Sequence, residues 1–205
     1  LLKNKLPHPP ITLLFTVREE SGLHGARELN PADLNGPVMC INVDGQLASE
    51  LIVGAVGQEN WDFERKGRAS HAGGEPDKGI SATLVGAIGL AEAKTAGWFG
   101  KVVKGKEFGT SNIGIFGGKG GKPAGDATNV VTDYAFLKGE ARSPELSFAT
   151  KIVDGYEAAF AKAKAAVTDH EGDTAEVTFR RAAAYPPFEL GQDTQVVKRA
   201  TRALG

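Results

Sequence analysis

The chain has 205 residues, so at ~150 residues per domain it holds one large domain or two small ones. Its 24 Lys and Arg against 25 Asp and Glu leave a net charge of -1, which argues against a surface built to neutralise nucleic-acid phosphates. With 41% hydrophobic and 24% charged residues it falls in the globular range, and its apolar runs fall short of the ~20 residues a membrane span needs.

The sequence starts at Leu1 with no Met and no signal-peptide pattern, and it stops at Gly205 after a helical pattern, so an internal fragment of a longer polypeptide is expected. Residues 11–17, behind Pro9 and Pro10, form a β-branched and aromatic run that reads as a strand buried on both faces. Residues 23–29 suit a short helix ended by Asn30 and Pro31, and residues 38–43 a second apolar strand closing at Asp44 and Gly45. The single cysteine, Cys40, cannot close an intrachain disulfide, and a cytoplasmic protein is expected. Residues 51–56 read as a further strand. Strand, helix, strand at this spacing implies a parallel α/β layer, whose functional groups gather at the carboxyl ends of its strands. Glu19, Glu20 and Asp44 stand at such ends.

After Gly57 the pattern becomes alternation, with Trp61, Phe63 and Arg65 on one face and Asp62, Glu64 and Lys66 on the other. Residues 80–96 carry apolar positions at helical spacing, with Ser81 near the start and Gly97 as the stop. Residues 111–116 and 130–141 read as strands. Residues 146–167 form a second amphipathic helix, for which Ser143 and Pro144 suit an N-cap and first turn. Residues 175–181 supply the last strand. The order β-α-β, β-α-β over residues 58–184 predicts a ferredoxin-like sandwich of two helices on a four-stranded antiparallel sheet. The expected organisation is therefore a partial catalytic α/β layer over 1–57, an inserted lid over 58–184 and a return helix over 185–205. Residues 101–125 are rich in glycine and lysine, but Gly121-Lys122 is followed by Pro123 where a phosphate-binding loop needs Ser or Thr, so a mobile hairpin loop is expected.

Two adjacent carboxylates at Glu19 and Glu20 either favour the positive N-terminus of the following helix or share a metal with Asp44. Asp44-Gly45 alone also fits a turn. His71, in Arg68-Ala-Ser-His-Ala-Gly-Gly74, suits a capping residue or a catalytic one. Arg142 suits either a surface ion pair or bidentate binding of a carboxylate.

Five motifs in order resemble the di-zinc exopeptidases and amidohydrolases that include peptidase T, glutamate carboxypeptidase, aminoacylase and succinyl-diaminopimelate desuccinylase. They are residues 15–26, Asn42-Val-Asp-Gly45, Ser70-His-Ala-Gly73 with Pro76 and Gly79, Thr128-Asn-Val-Val131, and Gly139-Glu-Ala-Arg142. The resemblance is closest to peptidase-T-like members. It implies a zinc-dependent peptidase, with two zinc ions per site, acting on short peptides. An amidohydrolase of acyl-amino acids, or a dimerisation module without a metal site, stays open as the alternative. By the same resemblance Glu19 is the general base, and Glu20 and Asp44 each ligate one zinc. His71 is a lid histidine reaching the scissile carbonyl oxygen, often in the partner subunit, and Asn129 and Arg142 hold the substrate backbone and carboxylate. A homodimer through the lid follows, with the remaining metal ligands outside the chain and this fragment alone inactive. His8, His24 and His170 match no family ligand, and Arg18 stands where relatives tend to carry Asp.

Overall fold

The computed structural model describes residues 3–20, 22–45, 47–125 and 127–204. The chain divides into two compact units, Leu1–Val53 with Leu190–Gly205, and Gly54–Glu189.

In the second unit, β2 (Gly57–Lys66) pairs antiparallel with β5 (Tyr134–Ser143) on one side and β6 (Glu176–Tyr185) on the other. Alternation along β2 buries Trp61, Phe63 and Arg65 while leaving Lys66 exposed. Helices α2 (Ala82–Thr95) and α3 (Leu146–Ala166) pack together, and their apolar stripes share the core with the sheet. Phe160 of α3 stacks on Phe63, ring centroids 4.0 Å apart, and Tyr156 meets Trp61 at 4.7 Å. The two helices approach closely at Gly89, where any Cβ would overlap the Phe160 ring. Ser81 caps α2 by accepting the Leu84 N–H at 3.2 Å, and Gly97 follows at a φ of 76°. A short ribbon of β1 (Gly54–Ala55) and β7 (Phe188–Glu189) closes the ends of the unit.

The sheet has five strands, in the order β3-β4-β5-β2-β6, rather than the expected four. The glycine and lysine stretch expected to be a mobile loop instead supplies a hairpin, β3 (Gly100–Lys104) and β4 (Glu107–Gly117). Gly105, at a φ of 64°, allows its two-residue turn. Only Val102 of β3 is buried, so this edge strand needs few apolar residues. The α3 N-cap is Glu145, not Ser143. Ser143 Oγ instead accepts the Glu145 N–H at 3.1 Å while donating to the Phe108 carbonyl at 2.8 Å.

In the first unit, α1 (His24–Arg27) is a single turn and α4 (Gln195–Leu204) is the longest helix, with Val197 buried. The expected strands at 11–17 and 38–43 do not form, and of 51–56 only Gly54–Ala55 is a strand, within the other unit. Leu13, Phe15, Val38 and Val43 are exposed. A buried parallel strand exists only through ladder partners on both sides. Both sheets among the described residues are wholly antiparallel and belong to the second unit. No helix among them is long and apolar enough to cross a membrane.

Candidate functional site

Backbone hydrogen bonds tie Val17, Arg18 and Glu19 to Gly22, Leu23, His24 and Gly25. The Glu19 carbonyl accepts the N–H groups of Gly22 at 3.0 Å and Leu23 at 2.9 Å, and the Gly25 N–H donates to Val17 at 3.0 Å. Arg18, just before the pair, holds a φ of 56°, a conformation uncommon outside glycine. Glu19, Glu20 and Asp44 are all exposed. Their oxygens do not converge as a set of three; among the described residues that convergence occurs only at Asp169, Glu171 and Asp173, within 4.8 Å of one another. Carboxylates are fitting donors for zinc, and a zinc site needs three or four protein ligands, more than Glu20 and Asp44 supply.

In the second unit the segment after β2 is zipped to residues 129–133. Gly67 N–H donates to the Asp133 carbonyl at 2.6 Å, Val131 N–H to Ser70 at 3.0 Å and Ala72 N–H to Asn129 at 2.9 Å. His71 and Val130 form a bridge pair, which brings His71 and Asn129 to the same end of the sheet. The His71 Nδ1 accepts two backbone N–H groups, from Gly73 at 3.1 Å and Gly74 at 2.9 Å. A nitrogen that accepts carries no proton, so the neutral ring holds its hydrogen on Nε2. The exposed imidazole is thereby set as a donor toward an electron-rich oxygen.

Arg142 lies elsewhere. It pairs with Gln58 at the start of β2, whereas His71 follows the end of that strand at Lys66. Eight residue steps at ~3.3 Å each separate these positions by about 26 Å along the strand. The Arg142 Nε sits 2.8 Å from Glu140 Oε1, and Nη2 donates to Oε2 at 3.1 Å. The Glu140 carboxylate raises the Arg142 pKa by its hydrogen bond, and it occupies the Nε and Nη2 side of the guanidinium. Glu140 was not singled out in the sequence, although a spacing of two on one strand face signals such a pair.

Residues 53–168 match the family model described as the peptidase dimerisation domain. Over 204 residues the chain is 33% identical to protein YqjE of Bacillus subtilis, covering 99% of this chain and 50% of that protein. Two solved structures are each 29% identical and cover 92% of this chain and 45% of theirs. They are the aminopeptidase PepT of Bacillus cereus, at a TM-score of 0.70, and a tripeptidase of Staphylococcus aureus, at 0.69. The chain thus spans about half the length of these relatives. Because the family match alone takes in more than half of the 205 residues, this chain belongs to the M20 peptidase dimerisation domain family.

Proposed function

We propose that the protein containing this chain is a cytoplasmic, zinc-dependent peptidase of short peptides that works as a homodimer through the unit Gly54–Glu189. The observation that carries this reading is the His71 loop, whose backbone presets the imbalance of the ring, Nδ1 accepting and Nε2 donating. Nε2–H then donates to the scissile carbonyl oxygen as negative charge develops there, where a preset donor acts without reorganisation. Glu19 takes a proton from the attacking water and passes it to the leaving amine. Glu20 and Asp44 would hold zinc, which when bound activates water and polarises the amide carbonyl. Asn129, beside His71, holds the substrate backbone, and Arg142 its carboxylate once Glu140 yields the fork.

The ~26 Å of strand between the His71 and Arg142 ends supports a site shared between subunits. A two-fold dimer presents one end of each sheet to each site, so that His71 works in the partner's site.

The test uses the full-length, zinc-loaded protein with tripeptides, N-acetyl amino acids and N-succinyl amines. Tripeptide cleavage is expected, with Glu19→Gln lowering kcat by about 100-fold to 10,000-fold at unchanged zinc content. Glu20→Gln and Asp44→Asn should lose zinc as well as rate. Cleavage of the acylated compounds alone would make the protein a deacylase, and equal zinc loss in all three variants would overturn the assigned roles.

A further inference from the structure

Arg68 opens the segment that carries His71, and its side chain reaches across to the turn between α3 and β6. One guanidinium nitrogen, Nη1, pairs with Asp169, and Nη2 pairs with Asp173 at 2.8 Å, partners 101 and 105 residues away in sequence. Asp169 is fully buried at its side chain, and its second oxygen accepts the N–H groups of Glu171 at 3.0 Å and Asp173 at 2.9 Å. The turn is further closed by the Thr168–Thr174 bridge and by the Asp169 N–H donating to Asp173 at 3.1 Å. It is therefore a rigid anion before Arg68 reaches it. The convergence of Asp169, Glu171 and Asp173 already serves this cation.

The same turn takes hold a second time. The His170 N–H donates to the Asp77 carbonyl at 2.8 Å, near the far end of the His71 segment. Arg68 and Asp77 flank His71, and one turn fastens both. Between these anchors the Gly73 and Gly74 amides hold the ring, the Glu75 N–H donates to the His71 carbonyl at 2.9 Å and the zipper runs to residues 129–131, while the Arg68 backbone is bridged to Ile80.

We propose that Arg68, Asp169 and Asp173 are positioning residues: a clasp that fixes the His71 segment and keeps the ring as an outward Nε2–H donor. The catalytic meaning of the clasp rests on the function proposed above, whereas its structural content does not. An arginine fork can bridge two carboxylates at fixed geometry, which a lysine cannot reproduce.

The experiment labels histidine with 15N in the 205-residue chain and reads which His71 ring nitrogen carries the proton. Hydrogen exchange at the Ala72 amide gives a second readout. A single Nε2–H form is expected in the unsubstituted chain. Arg68→Ala should give a mixture of ring forms and Ala72 exchange about 10-fold faster, because local opening is no longer resisted at its anchor. Arg68→Lys should restore part of both. Asp173→Asn, which removes only the exposed arm, serves if Arg68→Ala does not fold, and should shift both readouts in the same direction. Lys66→Ala breaks a 3.7 Å pair with Glu176 at the same end of β2 and should change neither. Unchanged ring form and exchange in both Arg68→Ala and Asp173→Asn, or equal change in Lys66→Ala, overturns the clasp. In the full-length protein, Arg68→Ala should lower kcat about 10-fold with KM little altered, the pattern of a lost transition-state contact. A full-length protein without peptidase activity overturns the proposed function alone, and the ring measurement still decides the clasp.

Discussion

Arg65→Met should stabilise the unit Gly54–Glu189. Arg65 is 0% exposed on the buried face of β2, and none of its three guanidinium nitrogens has a hydrogen-bond partner among the described residues. Its favourable contacts are the ring faces of Phe63, at 4.6 Å, and Phe116, at 5.6 Å. Burial pushes the guanidinium pKa well below its ordinary value, to about 10. At 1.36 kcal/mol for each pKa unit, that fall corresponds to roughly 3 kcal/mol of lost stability at neutral pH. Below pH 10 both states are protonated and the cost is constant. Above pH 10, until the unfolded chain also titrates, the unfolded chain holds more protons than the folded one, so stability rises with pH there and the cost lifts. The two cation–π contacts return about 1–2 kcal/mol. Methionine, of similar length and able to lie against both rings, should therefore gain about 1–2 kcal/mol net, in keeping with other replacements of buried charge by apolar groups. Urea unfolding followed by tryptophan fluorescence measures this, since Trp61 lies within the same core. A loss of more than ~1 kcal/mol would refute the reasoning, because it would mean the guanidinium has a polar partner worth more than its desolvation.

Gly89→Ala should destabilise the same unit by about 1–3 kcal/mol in urea unfolding, since the Phe160 ring must leave its stack on Phe63 to admit a methyl group. The clasp should also loosen in acid. Burial alone would raise the Asp169 pKa, but the Asp173 and Glu171 amides and the Arg68 charge hold it below its ordinary value, with His170 adding to the same effect. Its stabilisation is thus complete above the ordinary Asp pKa of ~3.9 and is lost as pH falls through the lower folded value; Ala72 exchange, corrected for intrinsic rate, should accelerate there in the natural sequence and not in Asp169→Asn. Mixing full-length His71→Ala with full-length Glu19→Gln under subunit exchange should recover up to about a quarter of normal activity, since half of randomly reassorted dimers are mixed and each carries one intact site. No recovery, with exchange verified by native mass measurement, would place His71 in its own subunit's site.

What was legible in the sequence was what neighbouring residues decide among themselves. The alternation of Trp61, Phe63 and Arg65 and the helical spacing of α2 and α3 are local periodicities, and each names its buried face without knowing its partner. Hairpin β3–β4 was half missed because an edge strand buries little. Val102 alone is buried there, and the lysines and glycines around it read as loop. Residues 11–17 and 38–43 failed in the opposite sense. Their β-branched content is a local preference, whereas a strand needs a ladder, and none forms on either run in this chain. The same division applies to the site. His-Ala-Gly-Gly at residues 71–74 announces a histidine beside free backbone amides, and the ring acceptor follows from it. Arg68 and Asp169 lie 101 residues apart, and no local pattern connects them.

The antiparallel sheet has a consequence for any reaction shared between its two ends. The His71 segment and Arg142 stand at opposite ends of β2 and β5, ten residues each and paired along their whole length, so strand length sets the spacing of those two ends. Because side chains alternate with a period of two, the strands can be lengthened only in pairs of residues if Trp61, Phe63 and Leu137 are to stay in the core. Each such pair would move the ends apart by roughly 7 Å, more than any side chain rotation could absorb at a catalytic contact. A fold whose hydrophobic pattern restricts its length to steps of that size holds its two ends at one spacing. On the function proposed above, that spacing would serve a dimer in which the His71 end of one subunit stands beside the Arg142 end of the other.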